Sequence, residues 1–173
     1  DATQAVSTSQ PKIVEGGVLL TDANDKPTMD FDGSGYNFEV NALASVLSGV
    51  DIPMSVFSLS QVTGSGANAS IWIGQGTQST SHFKAFQYRS GLEYGWLWRG
   101  VNGSKNQLNG GAYPLNTPYI HSFITDGSVL DIKENGEILT DNYSVAGAGD
   151  VDLSSFKIGS FMDGSISELI IYD

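Results

Sequence analysis

The 173-residue chain predicts an all-β fold, a two-sheet antiparallel β-sandwich. Three observations carry that expectation. Short apolar runs, about eleven of them, follow one another at near-regular spacing with almost no helical periodicity. Gly, Asn, Asp and Ser punctuate the runs, and 21 glycines far outnumber the five prolines, as tight turns require. The last run places Ile166, Leu169, Ile170, Ile171 and Tyr172 close together, a density of β-branched and aromatic side chains that reads as a strand covered on both faces.

In chain order, residues 1–12 are polar and read as an irregular lead-in; residues 13–173 read as one domain. The opening DATQAVSTSQPKIV looks like the middle of a motif, so a further strand is expected upstream. Ile13-Val14 and Val18 to Leu20 form short strands around Gly16-Gly17. Met29 and Phe31 share one face of the next strand at period two. Asn41 to Gly49 is the one helix-like segment, with Asn41 as N-cap and Gly49 as stop. Pro53 to Val62 carries apolar side chains on both faces and reads as a central strand, followed by a strand over Ala69 to Gly74.

His82 to Arg89 and Leu92 to Arg99 pair through a tight turn at Ser90-Gly91. Gly100 to Thr117 shows no strand pattern and is expected to be a long loop. Pro118 to Asp126 alternates, with Tyr119, His121 and Phe123 on one side. Asn135-Gly136 is the preferred pair for a two-residue hairpin between Val129–Lys133 and Glu137–Thr140. A Gly-rich crossing, Val145 to Asp152, leads to a final hairpin whose turn is Phe161-Met162-Asp163-Gly164.

Composition excludes several classes of function. A net charge of −11 repels phosphate backbones and argues against nucleic acid as partner. It is compatible with bound cations, a salty medium or simple solubility. No run approaches the roughly 18 apolar residues of a membrane span. Without cysteine there is no disulfide scaffold, thiolate metal site or cysteine nucleophile. His82 and His121 are the only imidazoles, too few for convergent His-based zinc or triad chemistry, and read as one exposed and one half-buried side chain.

The C-terminal segment FKIGSFMDGSISELIIYD resembles the closing hairpin of the concanavalin A-like lectin/glucanase superfamily, in its laminin-G-like and pentraxin-like branch. Lys26-Pro27-Thr28-Met29-Asp30-Phe31-Asp32-Gly33 is similar to a strand and turn of the same superfamily, although Asp25 and Thr28 stand where glycine and alanine are commoner. The resemblance covers about residues 11–173 and implies a jelly roll. Related domains of phage and bacterial origin carry a similar Asp-Ala-Thr-Gln segment. It therefore implies an extracellular or virion-surface location, with a cell-surface glycan or other surface proteins as partners. A homo-oligomer is compatible with it.

The superfamily also holds enzymes. Glycosidases need two carboxylates about 5–9.5 Å apart across the scissile bond. The lichenase and laminarinase branch sets them as Glu-x-Asp-x-Glu on one strand. None of the six glutamates lies in that pattern: Glu134 and Glu137 straddle the Asn-Gly turn, and Glu168 is read as structural. His82 to Tyr88 is similar to a strand of one alginate lyase family, whose partner histidine and arginines are absent here. Without them, β-elimination has no visible means.

Binding is the better expectation. Tyr94, Trp96 and Trp98 alternate along one strand with Tyr88 and Arg99 nearby, which suits the apolar faces and hydroxyl rims of sugars. Tyr and Trp are also ordinary core residues of sandwiches, so the strip is either a glycan platform or core. Asp22, Asn24 and Asp25 form a candidate calcium loop, with the branch's rim sites as precedent; the same residues also build ordinary turns. The sequons at Asn68, Asn102 and Asn142 are expected by chance in this composition. The sequence thus points to a non-catalytic glycan-recognising or attachment module. The alternatives are a structural decoration domain and a polysaccharide-cleaving enzyme with an atypical site.

Overall fold

A computed structural model of the chain describes residues 10–173 apart from 23–24, 51, 65–68, 77–82, 90–92, 100–104, 113–114, 145–150 and 173. For residues 83, 84, 87–89, 93–99, 105–112 and 140–144 it describes the backbone alone. The elements are β1 (Val14–Glu15), β2 (Val18–Leu19), β3 (Met29–Asp32), β4 (Phe38–Glu39), α1 (Asn41–Val46), β5 (Met54–Val62), β6 (Ala69–Gln75), β7 (Phe83–Arg89), β8 (Glu93–Arg99), β9 (Lys105–Ala112), β10 (Pro118–Thr125), β11 (Val129–Glu134), β12 (Glu137–Ser144), β13 (Ser155–Ile158) and β14 (Asp163–Tyr172).

Two antiparallel six-stranded sheets form the sandwich. The β5 sheet has the order β12-β11-β10-β5-β14-β3, and the β7 sheet the order β4-β13-β6-β7-β8-β9. Aromatic side chains close the space between them. The Trp72 ring of β6 stacks on Phe156 of β13 (6.0 Å, 10°) and meets Phe123 of β10 edge-on at 6.2 Å. Phe86 of β7 lies 4.5 Å from Phe123, so β6 and β7 are fastened to β10 across the core. All four rings are buried, and aromatics of this size each remove about 150–250 Å² from water.

Several local expectations hold. Alternate residues of β5 are buried from Met54 to Val62, and the strand lies centrally between β10 and β14. Phe31 is buried and Met29 packs partly against the core. Asn135 and Gly136 take φ of 49° and 86°, the left-handed pair that a two-residue hairpin needs. Gly16 and Gly17 do the same between β1 and β2.

Other expectations are corrected. Residues Lys105–Ala112, expected to be loop, form β9 at the sheet edge. Their Asn, Gln and Gly content gives no apolar alternation, and pairing with the β8 backbone supplies the order instead. The helix is capped by the Val40 backbone with no side-chain cap, and Asn41 is already helical.

The C-terminal segment is not a hairpin. β13 pairs with β6 and β4, whereas β14 pairs with β5 and β3, so residues 159–162 carry the chain from one sheet to the other. Gly159 (φ 74°) and Phe161 (φ 54°) make this corner. A Cβ on Gly159 would strike the Phe31 ring. β14 itself is covered on its inner face only: Ile166 is fully buried, while Tyr172 remains 58% exposed.

Candidate ligand-binding site

The pleat gives each sheet one face toward the core and one away from it. In the β7 sheet the ladder registers sort residues into two sets. One cross-strand row runs Ile158, Trp72, Phe86, Trp96 and Leu108. Its described aromatics, Trp72 and Phe86, meet β10, so this row belongs to the core side. The neighbouring row runs Lys157, Ile73, Ala85, Leu97 and Gln107. Ile73 and Ala85 are buried as a small cluster separate from the main core. This second set belongs to the side turned away from the β5 sheet.

The five residues expected to bind a ligand are divided by this register. Tyr88 is paired with Tyr94, Trp96 with Phe86, and Trp98 with Lys84, all at positions of the Trp72–Phe86 set. Arg99 is paired with Phe83 and falls in the Ile73–Ala85 set. The side chains of all five lie outside the described residues. Tyr94, Trp96 and Trp98 take alternate register positions of β8, and pairing with β7 relates those positions to the rest of the sandwich.

In the candidate calcium loop, Asn24 lies outside the described residues. Asp22 Oδ1 accepts the Lys26 amide at 3.0 Å, and the Asp22 carbonyl accepts the Asp25 amide at 3.1 Å. The Asp22 side chain thereby ties the turn, in which Asp25 has φ 58°. Among the described residues no group of three His, Asp or Glu side chains is placed to hold a metal ion.

His82 also lies outside the described residues. His121 is fully buried rather than half-buried. Its Nε2 lies 2.9 Å from Glu134 Oε2, and rings of Phe86, Tyr119 and Phe123 surround it at 4.9, 5.9 and 6.3 Å. Removal from water pushes its pKa down; the neighbouring carboxylate opposes that shift. A ring so enclosed has no path to a substrate.

The outward face of the β5 sheet is apolar. Phe57, Ser58, Leu59, Ile120, Glu168 and Ile170 line a shallow open depression of about 90 Å³. Tyr172 meets Phe57 edge-on at 6.4 Å beside it. Glu168 sits at a register shift in β14 and is exposed. Leu59, Ile120 and Ile170 supply the aliphatic part of the depression, and Glu168 its one charge. Sequence reading missed this face because β14 was expected to be covered on both sides.

No family model and no curated protein matches the sequence. Solved structures do. The architecture is that of β-sandwich carbohydrate-binding modules. The carbohydrate-binding module CBM40 of the Ruminococcus gnavus IT-sialidase, bound to α2,3-sialyllactose, superposes with a TM-score of 0.66 at 14% identity, over 84% of this chain and 88% of that one. Domain 4 of AbnA, an extracellular GH43 arabinanase of Geobacillus stearothermophilus, in complex with arabinotriose, superposes with a TM-score of 0.68 at 16% identity, over 95% of this chain and 80% of that one. A Trypanosoma rangeli sialidase matches with a TM-score of 0.58 and 15% identity over 83% of this chain but 25% of its own. At such identities the likeness is one of fold.

Proposed function

We propose that the chain is a non-catalytic glycan-binding module of laminin-G-like type, serving attachment on a bacterial or virion surface protein. The observation that carries this reading is the near end-to-end superposition on modules solved with sialyllactose and arabinotriose, with 80% or more of both chains covered in each case. Among the described residues His121 is sealed in the core, and Glu134, Glu137 and Glu168 lie on three different strands. Immobilised protein on an array of neutral and acidic glycans tests the reading. Specific retention of one glycan class is expected, and an array with no binding overturns it. Release of reducing ends from a bound polysaccharide would move the chain to the enzymes.

A structural decoration role is the second reading. It is favoured by the apolar outward face of the β5 sheet, where Ile120, Ile124 and Tyr172 are exposed.

A further inference from the structure

The outward face of the β5 sheet carries apolar side chains that the core does not use. Register sorts its central positions into three rows. Tyr172, Ser55, Ile124 and Asp131 form the first, across β14, β5, β10 and β11. Ile170, Phe57, Ser122 and Lys133 form the second, on the same strands. Glu168, Leu59 and Ile120 form the third. The alternate positions, among them Val56, His121 and Phe123, are buried against the other layer. On the outer face Ile120 is 54% exposed, Ile124 42% and Tyr172 58%. A contiguous apolar surface of this kind marks a contact.

Two features of the rows fit a second copy of the same face. The first is charge. Glu168 on β14 and Lys133 on β11 flank the apolar centre from opposite sides, three strand spacings or about 14 Å apart across the sheet. A two-fold axis running along the strands between β5 and β10 exchanges β14 with β11. Each Lys133 then comes within one pleat of the second copy's Glu168, so the same attraction is made twice. The second feature is shape. This axis sets Phe57 over the second copy's Ser122 and Ile124 over its Ser55, large over small in each case. Leu59 meets its Ile120, apolar on apolar. Packed sheets interdigitate in this manner, about 10 Å apart and within about 30° of alignment. A glycan on this face would instead lay its hydroxyls over Leu59, Ile120 and Ile170, which cannot bond them.

We propose that a second copy of this chain covers the outer face of the β5 sheet, in a two-fold dimer centred on Leu59 and Ile120 and flanked by Glu168–Lys133 pairs. The inference does not depend on glycan binding. The three rows cover a patch roughly 14 Å on a side. That is short of the ~800 Å² per partner of a standard interface, so the dimer is a weak one, with a Kd of about 10–100 μM.

Sedimentation velocity of the intact protein from about 1 to 500 μM is the test. A reversible monomer–dimer equilibrium is expected, with no larger species, because a two-fold contact closes on itself. Ile120→Asp is expected to weaken the dimer about tenfold or more, with the melting temperature of the dilute protein confirming the fold. Glu168→Lys and Lys133→Glu are each expected to weaken it about tenfold, and the two together in one chain to restore it. A monomer at every concentration overturns the proposal, and loss of glycan retention by Ile120→Asp in that monomer would give the face to a sugar. A dimer indifferent to Ile120→Asp overturns the assigned face. Association that continues past the dimer overturns the two-fold axis, and a double charge variant as weak as the single ones overturns the Glu168–Lys133 pairing.

Discussion

His121 Nε2 and Glu134 Oε2 lie 2.9 Å apart between partnered positions of β10 and β11, with the imidazole wholly inside the sandwich and the carboxylate at its margin. The pair links a core ring to a carboxylate of the next strand, and the rings of Phe86, Tyr119 and Phe123 lie against the imidazole.

This arrangement sets a pH dependence. Burial holds the His121 pKa below its ordinary value of 6.5, so below that pH the unfolded chain binds a proton that the folded chain refuses. Stability is therefore full above about pH 7 and declines as pH falls through 6 toward 5. The Asp126 and Asp32 carboxyls, held low by turn hydrogen bonds, act only in more acidic solution. Urea unfolding midpoints at pH 7.5, 6.5 and 5.5 check the slope, and His121→Asn is expected to flatten it.

Trp72 is the keystone of the core, held between Phe123 and Phe156. Trp72→Ala is expected to lose about 3–5 kcal/mol, because the cavity spans both sheets and cannot collapse from one side. Urea denaturation followed by circular dichroism measures it. A loss below 1 kcal/mol would mean that the two sheets do not share this ring.

Gly164 has φ 152°, and a Cβ there would strike the Gln61 carbonyl oxygen and come 2.9 Å from Val62 Cα. Backbone cannot yield as a side-chain tip can. Gly164→Ala is expected to destabilise by about 1–3 kcal/mol and to lower the melting temperature, whereas Gly136→Ala, with open space around it, strains only its φ of 86°.

Trp96 and Arg99 fall in different register sets of β8. Trp96→Ala separates the two expectations for the aromatic strip: a lowered melting temperature with glycan binding kept assigns it to the core. A Trp96→Ala protein that melts normally and loses glycan binding would return the aromatic strip to the ligand.

Much of the sandwich was legible because its signals are local. Asn135-Gly136 can hardly be anything but a tight hairpin, and the apolar residues on both faces of Pro53 to Val62 mark a central strand, as β5 is. What failed depends on partners distant in sequence. Lys105–Ala112 is a strand only because β8 offers it a ladder. Ile158 and Asp163 look like two ends of one hairpin, yet they belong to different sheets because β6 and β5 claim them first. Alternation likewise places Tyr94, Trp96 and Trp98 in one set along β8 without saying which set faces the core, because that depends on the neighbouring strand.

The corner at residues 159–162 has a mechanical consequence. The chain leaves the β7 sheet there and runs out along β14, clamped on both sides by β5 and β3. Tension along that strand would load both ladders in shear, so hydrogen bonds must yield together instead of peeling one by one. A pull applied through β14 would thus meet the ladders of β5 and β3 at once.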